Sequence, residues 1–123
     1  MSSGLRITFL VHFIVALIFG LAELLIPETW SGMVGVPVQD AFLMRLFGAA
    51  LLGFGAVSSW LAYRADAWEK VKIVVQMEIV WTILGALVTL WGLLFMGLAA
   101  GWWVNFIILA AFAVAFIAFY KRE

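Results

Sequence analysis

Few side chains in this sequence have chemistry to offer, and each lies inside a long apolar run. His12 and Glu23 share the first run, Arg45 and Ser59 the second, Glu78 and Thr82 the third, and Asn105 belongs to the fourth. An ionisable group in such a run is costly unless paired or facing a cavity, so each is a candidate for function as well as structure. At about 100° per residue, His12 falls in one stripe with Thr8, Ala16, Gly20 and Glu23, and Arg45 with Gly48, Ala49, Ala56 and Ser59. Glu78 lines up with Thr82, Gly85, Thr89 and Gly92. Bulky residues occupy the opposite faces. Small residues let helices approach closely, so all three stripes are expected to point inward.

Depth sorts these groups into two layers. Glu23 lies four residues before Pro27 and Arg45 five after Asp40, about 6 and 7.5 Å of helix. They are matched in depth and opposite in sign, an expected outer polar clasp with Asn105 at a similar level. His12 is six residues past Arg6 and Glu78 six past Lys72, each roughly 9 Å in. With Ser59 and Thr82 they make a second layer. An Arg–Glu pair either fixes helix register or contacts a ligand. A histidine beside a carboxylate is either a hydrogen-bonded pair or a proton-linked site, because imidazole titrates in the physiological range. The row Phe112, Phe116 and Phe119 below Asn105 either fills the interior or faces lipid.

Enzyme chemistry finds little support. One histidine and no cysteine cannot make a transition-metal site within one chain, and bis-histidine haem would need a second copy. No GxGxxG or Walker pattern occurs, and neither Ser58 nor Ser59 has a histidine at helical spacing in its own segment. No catalytic residue, metal or cofactor is expected. Zero formal net charge gives no case for a nucleic-acid partner.

The elements that must hold these groups follow from hydropathy. The sequence is 67% apolar and 11% charged, with a mean hydropathy of +1.20, far from a soluble domain. Four segments, Leu5–Ile26, Ala41–Tyr63, Val71–Met96 and Trp102–Tyr120, approach or exceed the ~20 residues that cross a bilayer core. Such a backbone must satisfy its own hydrogen bonds, so these are expected helices within one domain over residues 1–123. The first has a signal-like Arg6, but its apolar stretch outruns a signal core, and it is taken as a true span. Pro27–Asp40 is expected to be a loop, with Asp40 capping the second helix.

Six of the seven basic side chains, Arg6, Arg64, Lys70, Lys72, Lys121 and Arg122, flank the two termini and the middle connection. The positive-inside rule therefore puts both termini in the cytoplasm. The stretch PETWSGMVGVPVQDAFLMRLFGAALLGFGAVSSWLAYRA resembles small four-span prokaryotic membrane proteins described as DoxX-like. That resemblance implies a four-helix membrane bundle and no catalytic residue. The expectation is an all-α transmembrane four-helix bundle in the cytoplasmic membrane, N-in and C-in. Its function is either to bind a lipid or an apolar or amphipathic small molecule between helices, or to act as a packing subunit of a larger membrane assembly. The alternative is a small proton-linked carrier or channel working as a homo-oligomer through His12 and Glu78.

Overall fold

Glycine or proline marks where three of the helices of this chain stop, after Leu25, Val34 and Phe95. The computed structural model describes Met1–Glu123 as an all-helical chain with no strands. Helix α1 runs Ser3–Leu25, α2 Pro27–Val34, α3 Ala41–Arg64, α4 Trp68–Phe95 and α5 Trp102–Tyr120. Four of them, α1, α3, α4 and α5, are long and apolar enough to cross a membrane. Helix α4 starts three residues before the sequence expectation, with Glu69 in its first turn, where the helix dipole favours an acid.

The expected loop over Pro27–Asp40 is half helical. Pro27 sits in the first turn of α2, where its missing N–H costs nothing, and Gly35 ends the helix in the left-handed conformation at φ 70°. These residues bound an element here, where the sequence reading took them only as breakers. Trp30 of α2 packs edge-on against Phe19 of α1, with centroids 5.0 Å apart. Asp40 does cap α3, accepting from the Leu43 amide at 3.1 Å.

Helix α3 changes pitch midway. Leu51–Val57 form a π-helical segment, whose i→i+5 bonds add a residue to the turn and rotate everything downstream relative to everything upstream. Gly48, Gly55, Ala56, Ser59 and Ala62 are buried while Arg45 and Ala49 are exposed. At 100° per residue Gly48, Gly55, Ser59 and Ala62 fall within about 60° of one another, and Arg45 and Ala49 lie about 60° and 100° to one side of Gly48.

Helix α1 packs against α3 on one side and α5 on the other, and α4 packs extensively against α5. Gly20 and Gly48 set the α1–α3 approach: a Cβ at Gly48 would lie 2.7 Å from the Leu24 nitrogen and 2.8 Å from the Gly20 oxygen. The two antiparallel helices also cap each other. Arg6 of α1 donates to the carbonyls of Tyr63 and Ala65 at the end of α3, at 3.1 and 3.2 Å. Arg45 of α3 donates to the Leu24 carbonyl at the end of α1, at 2.5 Å. Last-turn carbonyls lack intrahelical donors and carry the negative end of the dipole, so a guanidinium suits both places.

The contiguous core lies at the end that carries both termini. Leu5, Phe9, Ala62, Val71, Val75 and Phe116 form it. Away from that end the helices diverge, and no Cα of Ala41–Val57 comes within 8 Å of α4.

Candidate functional site

Two places gather the polar groups, and they differ in kind. In the first, one turn beyond Phe9 and Val75, His12 Nδ1 and Ser59 Oγ share a hydrogen bond of 2.7 Å. The other ring nitrogen, Nε2, lies 3.5 Å from Glu78 Oε2. With the proton on Nε2 facing the carboxyl, Nδ1 accepts from the Ser59 hydroxyl, and both ring nitrogens have partners. Thr82 lies one turn further along α4, and its hydroxyl donates back to the Glu78 carbonyl at 2.6 Å. The backbones of α1 and α4 do not approach within 8 Å, so this bridge links them diagonally through side chains alone.

The aromatic row on α5 faces this cluster. Phe112 and Phe116 meet the His12 ring edge-on, with centroids at 4.6 and 5.6 Å, and Phe116 is fully buried. Of the two directions open in the sequence, these two rings take the interior. A serine, a histidine and a glutamate in series form the chain a nucleophile would use. Here Ser59 is 0% exposed and lies outside the large cavity described below. The arrangement can order a hydrogen-bond chain across three helices and hold their register.

The second place is where the helices diverge. A cavity of about 820 Å³ lies between α1, α3, α4 and α5, bounded at its end by α2 and the two flanking loops. This size is within the range of small-molecule sites. Phe47 and Trp81, with centroids 6.1 Å apart, span the gap between α3 and α4 at one wall. Gly101 permits the roof, because any Cβ there would collide with the carbonyls of Val34 and Gly35.

Glu23, Thr89 and Asn105 line this cavity. The Asn105 amide donates to the Thr89 hydroxyl at 3.2 Å, and that hydroxyl donates to the Gly85 carbonyl at 2.7 Å. Glu23 is 8% exposed, and its Oε2 is the one buried side-chain oxygen or nitrogen in the chain without a hydrogen-bond partner.

The expected outer clasp therefore does not form. Glu23 and Arg45 make no ion pair; Arg45 is exposed and serves the Leu24 carbonyl instead. The physical reason is that Arg45 lies at the edge of the buried stripe of α3, about 60° from Gly48, within reach of the unmet carbonyl at the end of α1. No family model, curated protein or solved structure matches this chain. The site must be read from its own geometry. Sequence reasoning found Glu23 and Asn105 but missed the cavity between them, since nothing in apolar periodicity reports that the backbones of two helices diverge.

Proposed function

We propose that this protein is a four-span bundle of the cytoplasmic membrane, with both termini inside, that binds an apolar or amphipathic small molecule or lipid in the cavity of its outer half. The observation that carries this reading is the cavity itself: roomy, mostly apolar, and provided with the chain's one unpartnered buried carboxyl at Glu23. Ligand sites have this composition, many apolar walls with a few placed polar groups. Membrane residence is supported by the outward faces of the long helices, where Ile7, Phe42, Phe54, Val88, Phe95 and Val114 are all strongly exposed. Orientation is supported by the basic residues at the termini and the middle connection.

The test is native mass spectrometry of the full chain released from mild detergent. An adduct of small-molecule or lipid mass should be retained. It should be lost when Met44→Cys, which lines the cavity, is coupled to benzophenone maleimide; the chain has no other thiol. Retention that survives this block would refute the reading. Orientation is tested by an impermeant thiol reagent on intact cells. Gly32→Cys, whose Cβ would have nothing within 4 Å, should label, and Glu69→Cys, exposed in the first turn of α4 next to the middle connection, should not. The reverse pattern would invert the topology.

A proton-linked carrier at His12 and Glu78 would need water to reach a cluster sealed by Phe112 and Phe116 on one side and the terminal core on the other. That enclosure favours a structural part for the cluster.

A further inference from the structure

Sixteen of the 25 residues around the cavity are hydrophobic, and its two charged ones, Glu23 and Asp40, are both acidic. No lysine or arginine lines it. The Asp40 carboxylate is engaged at the start of α3, which leaves Glu23. Glu23 is 8% exposed, its Oε2 has no partner, and Arg45, the cation of matched depth, is committed to the Leu24 carbonyl. Glu23 also sits in the last turn of α1, where the dipole opposes a negative charge. A carboxylate in apolar surroundings takes up a proton unless a partner of opposite charge or a hydrogen-bond donor meets it. Phe19, Trp30, Phe47, Trp81 and Trp102 stand around it, and aromatic faces attract cations as well as apolar bodies.

Building on the small-molecule reading above, we propose that the cavity receives a cationic amphiphile: a protonated amine held by the Glu23 carboxylate, with an apolar body lying among the aromatic walls. A carboxylate or phosphate headgroup would meet two acids and no base. A neutral headgroup would leave the Glu23 charge unbalanced.

The experiment uses the full chain in phosphatidylcholine nanodiscs and two probes, dansylcadaverine and its N-acetylated, uncharged counterpart. Energy transfer from the cavity tryptophans reports binding, with empty discs as the blank. The amine should bind about tenfold or more tightly than the acetylated probe, the gain of one charge-assisted hydrogen bond. Glu23→Gln should abolish that preference and leave the acetylated probe unchanged. Equal binding of the two probes to the wild-type chain would overturn the amine assignment while leaving the cavity reading intact, as would a preference that survives Glu23→Gln. Failure of both probes to bind the wild-type chain, or amine binding that persists after Met44→Cys is blocked with benzophenone maleimide, would bring down both. The wild-type ratio needs no variant, so poor folding of Glu23→Gln would not blunt the test.

Discussion

The two halves of this molecule solve the same problem in opposite ways. Each contains acidic and other polar groups in apolar surroundings. In the half that carries the termini, Glu78 is met by His12, His12 by Ser59, and rings from α5 close over them. In the other half Glu23 faces a cavity with Oε2 unmatched. A polar network satisfied internally rigidifies and specifies a structure, whereas an unsatisfied group beside a void is what a binding partner completes. On the proposed reading, one half supplies stability and the other recognition.

The largest expected effect breaks the closed half. His12→Leu strands the Glu78 carboxyl in the interior and should destabilise the chain by about 3 kcal/mol or more. Thermal unfolding in detergent would measure it. The double substitution with Glu78→Leu should recover much of the loss, because removing both partners leaves nothing stranded. A double variant no better than the single one would mean that the pair does not couple.

Next in size is the α1–α3 contact. Gly48→Val would push a side chain into the Leu24 and Gly20 backbones, which cannot move as a side-chain tip can, at a cost of about 1–3 kcal/mol. The same substitution at Gly53, where a Cβ has nothing within 4 Å, should be nearly silent in the same assay. Equal losses at both would place the effect in helix propensity instead of the close approach.

Substitutions in the open half should separate stability from binding. Glu23→Gln keeps the shape of the side chain and removes its charge, so its unfolding temperature should equal or exceed that of the wild-type chain in the absence of amine. A marked fall would assign Glu23 to the framework and erase the distinction between the halves.

The smallest effect is expected at Arg45. As an exposed cap on α1 it should contribute about 0.3–1 kcal/mol, well short of the loss at His12. Arg45→Lys should retain part of that contribution through its charge. A loss at Arg45→Ala as large as that of His12→Leu would show that the guanidinium sustains a buried partner after all.

How much of this was legible in the sequence depends on the kind of force involved. Hydropathy located the four long helices, since length and apolar content follow from the run of residues alone. The stripes on α1 and α4 were also readable, and they bring His12 and Glu78 to one level because a helix advances by a constant rise. At α3 the stripe was only partly readable. The π segment over Leu51–Val57 lies in a stretch of leucine, glycine and alanine with no side chain that signals an extra residue in a turn. Counting Ala49 in the buried stripe put Arg45 at its centre instead of its edge, and so gave it the wrong partner.

The sequence by itself determined that the chain is helical, that it is too apolar for water, and which few groups must find partners. Those are local properties of composition and period. Only the tertiary structure decided who the partners are. It took the packing of α5 to turn Phe112 and Phe116 onto His12, and the capping of α1 by α3 to take Arg45 out of the outer polar layer. The divergence of α3 from α4, which no single helix encodes, left Glu23 facing open space. A cavity is a relation between surfaces that do not meet, so it is written in the arrangement of the helices and not in the pattern of any one of them.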